Sequence, residues 1–269
     1  MRNHRKLVLV FLILLPVAMA TAMRALNIRN QNGSPAQGKA IDESVPTADA
    51  VAPEPADPKR RSLRKARGKR HNGNFDNPQD AKIFRITENS QSGYGGFSSH
   101  APPEAALPAS QSDTIVIGEV TDAHAYLSDD GTSVYSEFAL RVDEVLKRES
   151  AVRFNIGDSI DITRGGGAVR FPSGKVYFTL FREKPFPRKG RRYLFFLKSD
   201  EEGQSFAIIT GYELRAGRVH PLDGSDKAIP VPYQLAAHQK YEGADEAAFL
   251  NDVREAITRA SLNTSEGGR

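Results

Sequence analysis

The stretch Pro187-Arg188-Lys189-Gly190-Arg191-Arg192-Tyr193-Leu194-Phe195-Phe196-Leu197 decides the fold class. A basic turn ending near glycine leads into five consecutive apolar residues. Such a run is short for a helix and rich in the aromatic side chains that favour strands. With no polar face left for water, this strand is expected at the centre of the core.

The flanking text repeats the pattern. Upstream, Thr114-Ile115-Val116-Ile117-Gly118-Glu119-Val120 reads as a first strand, and Ser128-Asp129-Asp130-Gly131-Thr132 as a turn in which Gly131 supplies a positive φ. Residues 134–147 then alternate, with Phe138, Leu140 and Val142 on one face and Glu137, Arg141 and Asp143 on the other. Successive side chains of a strand point to opposite faces, so this is a half-buried antiparallel strand. Ser159-Ile160-Asp161-Ile162-Thr163 follows Gly157-Asp158, and Gly165-Gly166-Gly167 separates it from Ala168-Val169-Arg170-Phe171. Pro172-Ser173-Gly174 turns the chain into Lys175-Val176-Tyr177-Phe178-Thr179-Leu180-Phe181. Downstream, Ser205-Phe206-Ala207-Ile208-Ile209-Thr210 and a short hairpin around Arg215-Ala216-Gly217-Arg218 complete the set.

About seven short strands with regular turn signals predict a mainly β domain over residues 111–222, a small antiparallel barrel or sandwich. A barrel of the OB-like kind is favoured because closure removes exposed strand edges. The C-terminal residues differ: after Asp245, a candidate N-cap, Phe249, Leu250, Val253, Ala256, Ile257 and Ala260 recur at spacings of three and four. A helix over 244–262 is expected to pack on the barrel, plugging one end, with 223–243 as an irregular connection.

Gly118-Glu119-Val120, Tyr135-Ser136-Glu137-Phe138, Val142-Asp143-Glu144-Val145-Leu146-Lys147, Gly157-Asp158 and Gly190-Arg191-Arg192-Tyr193-Leu194-Phe195-Phe196-Leu197 form an ordered set. In this layout the chain resembles exported bacterial domains of unknown function with an OB-like barrel, similar in plan to netrin-like and TIMP-like modules. The resemblance spans residues 113–222 and departs from netrin-like domains in lacking every cysteine. It implies a binding domain and carries over no functional residue.

The N-terminus reads as an export signal over residues 1–22. Arg2, Arg5 and Lys6 precede Leu7-Val8-Leu9-Val10-Phe11-Leu12-Ile13-Leu14-Leu15, and Ala18-Met19-Ala20 or Ala20-Thr21-Ala22 offers the small residues of a cleavage site. The apolar run falls short of the about 20 residues that span a bilayer, so cleavage is expected, with an uncleaved anchor as the alternative. A secreted, periplasmic or envelope location follows. Zero Cys excludes disulfides, thiol catalysis, Cys-ligated zinc and a lipid-modified cysteine together.

Residues 23–110 read as a disordered basic and Pro-rich linker, too polar to offset the entropy of ordering. Within it, Lys82-Ile83-Phe84-Arg85-Ile86-Thr87 alternates like a short strand or docking segment. Its most charged stretch holds eight cations and no acid over residues 59–70: Lys59, Arg60, Arg61, Arg64, Lys65, Arg67, Lys69 and Arg70. This run is a candidate polyanion-binding tail, against the plainer reading of an extended, self-repelling linker.

Catalytic signatures are absent from the sequence. The six His show no metal-binding spacing, Asp129-Asp130-Gly131-Thr132 lacks the twelve-residue calcium pattern, and there is no Gly-x-Ser-x-Gly. No cofactor or metal is expected. Within the domain, Arg170, Lys175, Tyr177, Arg182, Arg188, Lys189, Arg191 and Arg192 interleave bases with aromatics and are candidate ligand-binding residues for an oligonucleotide or acidic saccharide. The sequence therefore points to an exported non-enzymatic binding module. The alternatives are an envelope-associated structural protein held on anionic polymer or membrane by its basic tail, and a small hydrolase or metal-dependent enzyme. Partners expected are an anionic envelope polymer, a membrane surface or another exported protein.

Overall fold

Among the described residues the main elements follow in the order β1 (Thr47–Asp49), α1 (Pro58–Arg70), β2 (Gly93–Gly95), β3 (Thr114–Leu127), β4 (Val134–Arg148), β5 (Ser159–Gly165), β6 (Gly167–Arg170), β7 (Val176–Phe181), β8 (Arg192–Ser199), β9 (Phe206–Arg215), β10 (Arg218–Pro221), a 3₁₀ helix (Tyr233–Tyr241) and α2 (Glu246–Glu266). This computed structural model describes residues 45–49, 55–73, 82–95, 104–149, 153–181, 183–200, 205–224 and 233–266. The expected signal peptide, residues 1–22, lies outside them.

Five strands close into a ring. β3 pairs with β4 and β8, β4 with β5, and β8 with β9, all antiparallel. A short parallel contact, Ile162 with Phe206 and Thr163 with Ala207, joins β5 to β9 and completes the circuit. The OB-like barrel expected from the alternation is present. β3 and β4 are long enough to wrap it because three register shifts bend their pairing, near Ile115, Ile117 and Val120. At the second shift the backbones approach so closely that a Cβ on Gly118 would lie 2.3 Å from the carbonyl oxygen of Arg141. Only glycine fits there.

The apolar run of β8 is explained by burial on both faces. Tyr193, Phe195 and Leu197 point into the barrel with Val116, Val120, Phe138, Leu140, Val142, Ile160, Ile162 and Phe206. Leu194 and Phe196 point outward, where Ile115, Ile117, Tyr212, Leu214 and Val219 form a second apolar surface under Phe249, Val253 and Ala260 of α2. The C-terminal helix thus lies along the barrel wall instead of plugging an end. Asp245 caps it by accepting from the Ala248 amide at 3.0 Å, and the helix runs four residues past its expected stop at 262. Part of the expected irregular connection is the 3₁₀ helix. It buries His238 against Tyr212 at 3.0 Å, while Tyr212 donates to the Ala106 carbonyl.

The last hairpin turns through Ala216 and Gly217, both left-handed with φ of 51° and 71°. That is the geometry of a two-residue turn matched to strand twist, and it costs Ala216 the usual penalty of a side chain there.

Among the described residues, the stretch expected as a disordered linker contributes a strand or a long helix in three places. β1 adds to β6 and β2 adds to β7, both parallel, so a β6–β7 hairpin outside the ring becomes a four-stranded sheet. Three-residue strands carry too little alternation to be seen in sequence. The third place is α1. Residues 82–87 form no strand: Ile86 is buried, while Ile83 and Phe84 are exposed.

Phe138 sits fully buried at the barrel centre. Phe138→Ala is expected to lose about 3–5 kcal/mol, measured by denaturant titration followed by circular dichroism; a loss under about 1 kcal/mol would place Phe138 outside the core.

Candidate interaction face

Helix α1 begins where the sequence gives a start signal. The Asp57 carboxylate accepts from the Lys59 amide at 2.9 Å, and Pro58 occupies the first turn, where its missing N–H is harmless. Arg, Lys, Leu and Ala are good helix formers, and Arg67, Lys69 and Arg70 lie in the last turn, where the helix dipole favours cations. Against this stands the repulsion of eight like charges. The barrel offsets part of it by giving Arg67 and Arg70 acidic partners.

One side of α1 faces the barrel and the other faces water. Arg67 and Gly68 are buried and Leu63 and Arg64 half-buried, while Lys59, Arg60, Arg61, Lys65 and Lys69 are exposed. Arg67, its side chain 7% exposed, donates to Glu137 of β4 at 2.9 Å and to Asp161 of β5 at 2.5 Å. One turn on, Arg70 meets the buried Asp200 carboxylate at 2.6 Å and donates to Ser205 at 2.7 Å. One turn back, the Arg64 guanidinium lies over the Tyr126 ring, 4.2 Å from its centroid, a cation–π arrangement.

The end of the helix is fastened to the β3–β4 loop. The His71 ring stacks on Tyr135 with centroids 4.5 Å apart and planes 5° from parallel. The His71 carbonyl accepts from the Ser133 hydroxyl, Asn72 Oδ1 from the Asp130 amide, and Thr132 Oγ1 from the Gly73 amide. Gly68 allows the close approach, since a Cβ there would lie 3.0 Å from the Asp129 nitrogen. The loop is held rigid by Asp130, whose Oδ1 accepts from Ser128 Oγ, the Thr132 amide and Thr132 Oγ1. This is the turn expected from Asp129-Asp130-Gly131-Thr132.

The surface under α1 therefore consists of the second and third barrel strands, β4 and β5, with the end of β3, the β3–β4 loop and the two described ends of the β8–β9 loop. In OB-type barrels that region is the usual ligand face. Here the side chains of α1 and His71 meet three carboxylates, Glu137, Asp161 and Asp200, and two tyrosine rings, Tyr126 and Tyr135.

Burial sets the protonation. Desolvation, reinforced by neighbouring Arg70, pushes His71 down to about 4, so it is neutral at physiological pH. Desolvation holds the Glu137 carboxyl above its ordinary range, with Arg67 pulling it back.

The candidate residues from sequence fall in different places. Arg64, Arg67 and Arg70 of the candidate polyanion tail turn into the barrel, and the other five of the eight face solvent. Among the barrel candidates, Arg170 ends β6 3.9 Å from Asp49, Lys175 is exposed on the β6–β7 turn, and Tyr177 packs against the cluster of Ile86, Ala125, Val134 and Val169. Arg182 lies outside the described residues. Arg188, Lys189, Arg191 and Arg192 line the turn into β8, and three of them meet acids: Lys189 with Asp122, Arg191 with Glu213, and Arg192 with Glu246 and Asp143. That turn bonds to Val120 at one level of β3, whereas the β6–β7 hairpin packs near Ala125 and Leu127. Five to seven residues of strand, roughly 17–23 Å along the chain at about 3.3 Å each, separate the two groups. Sequence reasoning missed Glu137, Asp161, Asp200, Tyr126 and Tyr135 as a set. The outward placement of Glu137 on β4 was its one visible signal.

Removing Arg67 would leave Glu137 buried and unpaired, a penalty of about 3–5 kcal/mol if α1 stayed in place. Arg67→Ala is therefore expected to undock the helix. Amide hydrogen exchange across α1 should speed up by about 100-fold or more, with barrel amides little changed. Unaltered α1 protection would show that other contacts carry the docking.

Acid should loosen the same contact. A histidine whose docked value is lowered from 6.5 to about 4 favours docking fully above 6.5, and that contribution fades as pH falls toward 4. Glu137 acts in the opposite sense, because a carboxyl held high protonates more readily when docked. Comparing α1 exchange at pH 7.5 and 4.5, corrected for intrinsic rates, should show lost protection, and His71→Phe, which keeps the stack without the charge, should abolish most of the loss. Equal acid sensitivity in His71→Phe would remove His71 as the cause.

No protein-family model and no curated protein matches the chain, so the functional reading rests on the geometry of this face.

Proposed function

We propose that the chain is an exported, non-enzymatic binding module that engages its partner on the β4–β5 face, between the β3–β4 and β8–β9 loops. One observation carries this: the face already holds a segment from far away in the chain, through both loops and both strands, with the Arg67 guanidinium enclosed by Glu137 and Asp161. A surface that selects side chains by charge, ring stacking and close backbone approach has the elements of recognition. The export part of the proposal draws on the basic head, the apolar run and the small residues of 1–22.

A second reading, attachment to an anionic envelope polymer or membrane by the basic segment, draws on the exposed Lys59, Arg60, Lys65 and Lys69 on the outer side of the docked helix. It concerns the opposite side of α1, and the two readings are compatible.

The test opens the face in the full chain by two independent routes: Gly68→Leu, which collides with the Asp129 backbone, and Arg67→Gln with Arg70→Gln. Wild type and both variants are titrated against heparin, single-stranded DNA, anionic cell-wall polymer and a cationic helical peptide. The expected result is at least a tenfold gain in affinity for one member of the panel in both opened forms, reduced by Tyr126→Ala. Identical binding by open and closed forms would overturn the proposal.

A further inference from the structure

We infer that the partner of this face, on the reading just proposed, is a helix of another exported protein carrying arginines at positions i, i+3 and i+6, and that α1 is its resident competitor. The chemistry selects the sign of the charge first. Glu137, Asp161 and Asp200 are carboxylates, and the cations touching them from above belong to α1 itself. Once α1 lifts, the face is anionic. Oligonucleotides and acidic saccharides, the ligands that the arginines and lysines of the domain suggest from sequence, meet repulsion there. A cationic segment meets three carboxylates.

The spacing then selects a helix. Arg64, Arg67 and Arg70 are three residues apart, and on a helix such positions lie on one side. They reach, in order, the Tyr126 ring, the Glu137–Asp161 pair and the Asp200–Ser205 pair. An extended peptide with the same residues would spread them over about twice the distance and turn alternate side chains away. A small residue is required at i+4, where Gly68 lies against the Asp129 backbone. An aromatic or imidazole ring at i+7 finds the Tyr135 ring, as His71 does. The face thus reads a register of residue types: Arg, Arg, small, Arg, ring.

Because α1 belongs to the same chain and its segment is anchored at β1 and β2, it competes intramolecularly, at an effective concentration above that of a dilute free helix. A competing helix must overcome that before it is seen. The closed form screens out weak cationic segments, and the acid-sensitive contacts of His71 belong to the screen.

The probe is a labelled peptide of residues 55–73, titrated by fluorescence anisotropy against the full chain in wild-type form, as Gly68→Leu, and as Arg67→Gln with Arg70→Gln. Binding should be at least tenfold tighter to both opened forms than to wild type. It should fall at least tenfold when Glu137→Gln and Asp161→Asn are added to an opened form. A scrambled peptide of the same composition should bind at least tenfold more weakly. Equal binding of the scrambled peptide, or indifference to the two acid substitutions, would overturn the inference. If heparin or DNA gains affinity for the opened forms and the peptide does not, the face is a binding site and the helical partner is wrong. If nothing in either panel binds the opened forms, both readings fall together. Dimerisation of the opened forms, seen by sedimentation, would assign the face to the α1 of a second copy and overturn a separate partner.

Discussion

The fold depends on two residue pairs. Ile162 with Phe206 and Thr163 with Ala207 are the only residues that join β5 to β9 among those described, and they turn a sheet into a ring. Without them β5 would be an open edge, and the carboxylate of Asp161, which sits on that strand, would have no fixed relation to Asp200 beyond the end of β8. Closure also explains the short reach of the parallel contact. A barrel of five strands needs its strands to tilt and stagger, and the stagger leaves little overlap at the closing seam. The seam is reinforced from within by Phe206, which is buried beside Phe154 in an edge-to-face contact with centroids 5.8 Å apart.

What could be seen in sequence follows the strength of the local signal. β8 declared itself through Tyr193 to Leu197 because it is covered on both faces. β4 declared itself because Phe138, Leu140 and Val142 alternate with Glu137, Arg141 and Asp143. α2 was legible from its stripe, although the surface that receives it was not, since Leu194 and Phe196 look the same in sequence as Phe195. The Ser128-to-Thr132 turn was legible because glycine and aspartate have few other uses in that order.

α1 was hidden for a physical reason. Its amphipathic pattern is written in charge rather than in apolar residues: Arg67 is the buried position that leucine would hold in an ordinary helix. A pattern that scores burial by hydrophobicity reads such a segment as solvated. The acids that make the burial possible are 70 and more residues away in the chain, so no local window contains both halves of the interaction. Asp57 and Pro58 suit a helix start once the helix is seen, but without an apolar stripe the pair carries little weight in a Pro-rich stretch. The same limit applies to the face itself. Glu137, Asp161 and Asp200 come from three elements, and only the ring brings them under one helix.

β1 and β2 flank α1 in sequence, and each is anchored in the four-stranded sheet, through Ala168 to Arg170 on one side and Thr179 to Phe181 on the other. The segment carrying α1 is therefore a closed loop with two fixed ends, like a handle. When the helix lifts, it cannot leave. The entropy of closing a loop grows only with the logarithm of its length, so roughly forty residues held at both ends recapture their contact readily. The state of the face is then set by competition and not by loss of the strap, and it resets once a competitor departs. A single backbone cut between the two anchors would change that. Each half would stay attached to its own strand, but the loop would become two tails, and a reversible closure would become a permanent opening.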